Sequence, residues 1–271
     1  MKFEHPLFDI VIDTDDLQLT SILSKLEKVY QGIPKTKCSI CPGKDGVTAE
    51  CCKIFSPSMY LVEFLDILKR IERKCQIDRK DLQETVNFII KNCVDSFMHV
   101  DKESILKKPC PLMVNNLCSY YKERPFSCRN FGLYSKVEWE KRLQTIIQQT
   151  GMKKEEIPFY EQCTGVKVSA KQGFSLTTES SNNLFNAIYN LDVQLLNNVS
   201  KQVGNITYMP FDHHFLVLFL GPDGLEQLTD MKILLMDSIT KRKNNEIEEE
   251  SLLKIENNIK EFIEVLKENI K

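Results

Sequence analysis

The chain has 271 residues, with 36 Lys and Arg against 38 Asp and Glu, a formal net charge of −2. So even a balance does not provide the basic surface that phosphate backbones require, and no nucleic-acid partner is expected. With 42% hydrophobic and 27% charged residues, the composition is that of a globular protein and excludes general disorder. No apolar run approaches the roughly 20 residues that span a bilayer, so no membrane association is expected. The N-terminal stretch carries Asp9, Asp13, Asp15 and Asp16 and lacks a continuous apolar segment; it does not read as a secretory signal. A cytoplasmic location is therefore expected, and in that reducing compartment ten cysteines point to metal binding or redox chemistry ahead of structural disulfides.

In chain order, Leu19, Ile22, Leu23, Leu26, Val29 and Tyr30 form a helical stripe closed by Gly32 and Pro34. Ser56-Pro57 reads as the cap and start of a second helix bearing Tyr60, Leu61, Phe64, Leu65, Leu68 and Ile71, and Asp78 as the cap of a third with Val86, Ile89, Ile90, Cys93 and Phe97. Asn115-Asn116 suits a tight turn in a small hairpin. Helix returns from Lys136 to Gln149 and from Thr177 or Thr178 to about Asn197, while Phe159 to Gly165 reads as a loop. Tyr208 to Leu220 reads as a buried strand ended by a turn at Gly221-Pro-Asp-Gly224, followed by helices over about Leu225–Ser238 and Glu248–Ile270. The last, Lys- and Glu-rich, reads as a solvated amphipathic helix packed on the body, with partner binding or dimerisation as its other use; the oligomeric state is left open. The expected fold is mainly α: a helical body with an irregular cysteine-rich metal-binding region and a short β element. Residues 1–174 are expected to form the cysteine-cluster unit with its flanking helices, and 175–271 a mainly helical region packed on it.

The cysteines are not scattered. Cys38-x2-Cys41 is followed after nine residues by Cys51-Cys52, in a segment containing Pro42, Gly43 and Gly46; then come Cys110-x7-Cys118-x9-Cys128, and finally Cys163. A two-residue spacer lets two thiolates face one ion, and turn-forming residues let the backbone curl around it. Eight thiols make two sites of four, the usual number for zinc or for an iron–sulfur cluster. Thiolate ligation is compatible with either. Cys75 and Cys93 fall inside helical patterns and read as core residues. Arg124 and Arg129 bracket Cys128 and are candidates for offsetting its charge or binding a carboxylate or phosphate of a cofactor, or for a structural role in the knuckle. His213 and His214, placed on a strand, would point to opposite faces and lack a partner set for a metal. Gly-rich nucleotide loops and a nucleophile elbow are absent from the sequence, and no residue is marked as catalytic.

The run from Cys110-Pro-Leu through Cys118-Ser-Tyr-Tyr and Arg124-Pro125 to Cys128-Arg129 resembles the signature of the YkgJ-type cysteine-cluster proteins, a family of zinc- or iron-chelating domains. Cys38-x2-Cys41, Cys51-Cys52 and Cys163-Thr-Gly165 resemble the same family's flanking elements, although the nine-residue spacer is longer than is usual there. The family includes a flagellin lysine N-methylase. The resemblance implies an iron–sulfur cluster, with a cubane 4Fe-4S centre expected ahead of zinc, and methyl transfer from S-adenosylmethionine to a lysine of a protein substrate such as flagellin. Its ligands would be Cys38, Cys41, Cys51, Cys52, Cys110, Cys118, Cys128 and Cys163. The alternative is a non-catalytic zinc protein whose two four-cysteine sites serve a structural or interaction module.

Overall fold

The computed structural model describes residues 17–34, 52–53, 56–100, 108–115, 117–157, 176–203, 208–244 and 249–270. They are mainly helical, with two short two-stranded pairings. In chain order the elements are α1 (Leu17–Gln31), β1 (Ser58–Met59), α2 (Leu61–Asp78), α3 (Leu82–Met98), β2 (Met113–Val114) and β3 (Leu117–Cys118). There follow α4 (Phe126–Arg129), α5 (Lys136–Thr150), α6 (Thr178–Val203), β4 (Met209–Pro210), α7 (Phe211–Lys243) and α8 (Glu249–Asn269).

Helix α2 is the centre of the molecule. Every residue from Leu61 to Leu68 is buried, and α1, α3, α6 and α7 all pack on it. A helix buried on all sides must satisfy its polar groups internally. Its first turn does so with two acids: Asp192 of α6 accepts the Val62 N–H at 2.8 Å, and Glu63 bonds back to the Tyr60 N–H at 3.1 Å. The N-cap is therefore Tyr60, not Ser56, whose hydroxyl instead donates to Asp212 of α7 at 2.8 Å. Asp78 likewise ends α2 instead of capping α3. The chain passes through a left-handed Arg79 (φ 53°), and Asp81 caps α3 by accepting from Glu84 N–H at 2.8 Å.

The largest departure from the sequence expectation is the run from Tyr208 to Leu220. Only Met209 and Pro210 are extended, pairing antiparallel with β1 (Ser58↔Pro210, Met59↔Met209); from Phe211 the chain is helical. A continuous apolar run cannot by itself distinguish a buried strand from a buried helix. Here α7 lies against α2 and α3, with Phe211, Phe215 and Leu216 fully buried. The expected turn at Gly221 is a kink within α7: Gly221 leaves helical geometry at φ 71°, ψ 174°, a conformation that glycine reaches without Cβ strain, and the helix then resumes.

The hairpin and the helices expected in the second half of the chain are present, while the loop expected over Phe159 to Gly165 lies outside the described residues. Asn115 (φ 52°) turns the β2–β3 hairpin, with Met113 opposite Cys118. Ser135 caps α5, and Glu138 of α5 accepts from the Thr178 N–H and hydroxyl at 3.1 and 2.6 Å, capping α6 in turn. Helix α8 packs on α7 through Leu252 and Ile259, and Lys267 pairs with Asp95 of α3. One cluster of buried side chains runs from Leu19 to Ile259. Among the described residues no helix is long and apolar enough to cross a membrane.

Candidate metal centre

Of the eight candidate ligands, Cys38, Cys41, Cys51 and Cys163 lie outside the described residues. Three of the other four approach one another, and the fourth, Cys52, is joined to them through its backbone. Cys110 arrives on the segment after α3, Cys118 sits in β3 and Cys128 in α4. The charges of Cys128 and Cys118 both bear on the Cys110 thiol, which burial first and these two neighbours next push well above its ordinary value. Cys52 is tied to the same point, its carbonyl accepting the Cys110 N–H at 2.6 Å. Cys75 and Cys93 are buried within α2 and α3, as core residues should be. Among the described residues no group of three Cys, His, Asp or Glu side chains is arranged to hold a metal ion, so these four thiols do not form a closed site by themselves. Their chemistry nevertheless fits a soft cation. Cys118 and Cys128 oppose the ionisation of Cys110, and a bound cation would reverse that penalty by taking these thiols as thiolates.

The segment that carries Cys118 and Cys128 is held in place by buried polar contacts. Helix α4 is a single turn (Phe126–Arg129) and too short to be stable alone. Its Phe126 N–H donates to Glu63 of α2 at 2.7 Å, and Glu63 also accepts from the Tyr30 hydroxyl of α1 at 2.5 Å. Burial raises both the Glu63 carboxyl and the Tyr30 hydroxyl above their ordinary values, so the tyrosine keeps its proton and donates it. One carboxylate thus joins α1, α2 and the Cys128 turn. Sequence reading missed Glu63. Its signal was an acid set in the uniformly apolar stretch Leu61-Val-Glu-Phe-Leu, a charge on a face that should be dry.

The arginines that bracket Cys128 are turned toward the backbone. Arg129 donates from Nε to the Arg124 carbonyl at 2.5 Å and from Nη2 to the Lys122 carbonyl at 2.6 Å, and its guanidinium lies over the Tyr30 ring at 4.1 Å. Arg124 donates to the Tyr121 carbonyl at 3.0 Å and stacks on that ring at 3.9 Å. Arg129→Ala is expected to cost about 2 kcal/mol, the sum of orphaned carbonyls and lost stacking. Arg129→Lys should recover less than half, because a single ammonium cannot span both carbonyls; urea denaturation of the two variants checks this, and a lysine variant as stable as the parent would count against the fork geometry.

The histidines expected on a strand lie on α7. His214 is buried against Phe64, rings stacked at 4.8 Å, with its Nε2 3.0 Å from the Met59 carbonyl. His213 meets Phe97 edge-on at 4.9 Å and lies 3.6 Å from the Asp212 carboxylate. That carboxylate also receives Lys108 at 2.6 Å, and the His213 contact and the Lys108 ammonium outweigh its burial and hold its pKa down at about 2. Neither ring belongs to a group of three metal-ligating side chains among the described residues. No protein family, curated protein or solved structure matches the chain.

Proposed function

We propose that the chain is a metal-binding cysteine-cluster protein in which Cys52, Cys110, Cys118 and Cys128 supply one part of the ligand set and Cys38, Cys41, Cys51 and Cys163 the rest. The observation that carries this reading is the approach of Cys118 and Cys128 to Cys110 from separate stretches of chain, with the backbone of Cys52 bonded to that of Cys110 at 2.6 Å. All-thiol donor sets suit an iron–sulfur cluster or zinc, and the resemblance to YkgJ-type proteins favours the cluster. By the same resemblance, the activity we assign is transfer of a methyl group from S-adenosylmethionine to a protein lysine. A bound cluster would supply an iron able to hold the donor. The residues of this chain would fix that iron's position through the Glu63 contact to the Cys128 turn and would screen its charge with Arg129 and Arg124.

The test is elemental analysis and visible absorption of full-length protein purified without oxygen or added metal. About four irons with matching sulfide and broad visible absorption are expected, together with loss of most of the iron from a Cys118→Ser/Cys128→Ser protein that stays folded by circular dichroism. About two zincs and no colour would replace the methylase reading with that of a structural zinc module. Metal content unchanged by the double substitution would defeat both.

A further inference from the structure

A pocket of about 290 Å³ opens beside the helix that carries Cys128, close to the lower end of small-molecule sites, roughly 300 Å³. Its walls are aromatic and come from four separate segments of chain. Phe131 and Trp139 meet edge-to-face at 6.2 Å, Phe185 and Tyr208 at 5.3 Å, and the Arg142 guanidinium lies over the Tyr134 ring at 4.7 Å. The hydroxyl of Tyr134 is occupied by Asn130 at 3.2 Å and Ser181 at 2.5 Å. Two further polar groups line the space: the carboxamide of Asn182, and the Ser127 hydroxyl, a buried atom with no hydrogen-bond partner among the described residues. A buried hydroxyl without a partner is costly in a finished interior and is what a binding pocket leaves for its ligand.

The lining selects the kind of ligand. Among the described residues no carboxylate lines the pocket, and Arg142 gives it one positive charge. An aromatic cage for an ammonium ion would need open ring faces and no competing cation, yet the guanidinium already covers Tyr134. Flat aromatic walls suit a planar ring. A carboxamide offers a paired donor and acceptor of the kind that matches adenine N6 and N7, and a guanidinium two donors that match guanine O6 and N7; base stacking on aromatic side chains tolerates either purine. We infer that this pocket binds a purine nucleoside, the base stacked among the aromatic walls and its edge read by Asn182 or Arg142. No cysteine lines it among the described residues, so the inference stands whether or not the metal reading does. Because Ser127 precedes Cys128 in α4, a nucleoside held here lies beside the cysteine group.

Trp139 is the only tryptophan in the chain, so its emission reports on this pocket alone. Full-length protein is titrated with adenosine and guanosine, and with benzoate and tetramethylammonium as a planar anion and a cage-type cation. Saturable quenching by at least one nucleoside, weakened about tenfold by Asn182→Ala or Arg142→Ala, is the expected result. Both substitutions are at solvent-reachable positions, and circular dichroism verifies that each variant is folded. Three results overturn the inference: no saturable response to either nucleoside, an equal response to benzoate or tetramethylammonium, or binding unaffected by both substitutions. Repeating the titration on chelator-treated protein separates the two readings, since nucleoside binding that survives metal removal leaves the pocket standing and the metal centre to be judged on its own test.

Discussion

Glu63→Ala should destabilise the protein by about 3–5 kcal/mol and, on the proposed metal-binding reading, lower the metal that the purified chain carries. The side chain is 2% exposed and accepts from three donors, the Tyr30 hydroxyl, the Tyr60 N–H and the Phe126 N–H. Alanine leaves all three buried without a partner, and each orphan costs on the order of 1–3 kcal/mol. The glutamine variant separates acceptor geometry from mere volume. Its amide oxygen can still take Tyr30 and Phe126, which share Oε1, while its NH2 faces the Tyr60 N–H as donor against donor. Glu63→Gln should therefore lose only about 1–2 kcal/mol and keep the Cys128 turn in place. The positioning role is read from metal per folded chain, measured below the unfolding transition: retained in the glutamine protein, depleted in the alanine protein. An alanine variant within about 1 kcal/mol of the parent in urea would show that water or a neighbour takes over the three donors, and the network would lose its meaning.

That network also marks where the sequence was readable. Helices α1, α5 and α6 and the hairpin were legible because each is amphipathic or turn-coded on its own: one face buries, and Asn115 permits the reversal. Helix α7 was not, because Phe215 to Leu220 is a continuous apolar run and only its packing against α2 and α3 decides its period. The helix starts were displaced for a related reason. Ser56 and Asp78 are good caps locally, but Ser56 is recruited by Asp212 and Asp81 outcompetes Asp78 three residues later. In the candidate site, cysteine spacing was visible, whereas Glu63 and the aromatic pocket were not. Both are assembled from segments tens of residues apart, and no local pattern joins Tyr30 to Phe126 or Trp139 to Tyr208.

The last expectation concerns pH, where two buried groups near the start of α2 act in opposite directions. Burial pulls His214 down to about 4, helped by the charge of His213 and opposed by the Met59 carbonyl and Asp212. The folded state thus keeps this ring neutral while the unfolded chain, with an ordinary value near 6.5, takes up a proton. Stability from His214 is complete above pH 6.5 and is lost as pH falls toward 4, by up to about 3 kcal/mol. Asp192 behaves in reverse. Burial lifts its carboxyl to about 6, against the Val62 N–H that it accepts and with the charge of Glu63 adding to the rise. Its native form holds the proton more tightly than the unfolded chain, so its contribution is present below about pH 4 and is lost as pH rises to 6, again by about 3 kcal/mol. Between pH 4 and 6 the two slopes oppose each other and largely cancel in the parent protein. Single substitutions should uncover them. Measured as urea midpoints at successive pH values and referred to the parent, Asp192→Asn should gain relative stability as pH rises from 4 to 6, whereas His214→Gln should lose it. Asparagine keeps the acceptor for Val62 and glutamine a donor for Met59, so neither result needs a collapsed core. Parallel profiles for both variants and the parent would mean that neither group titrates differently on folding, and that the helix start is reached by water.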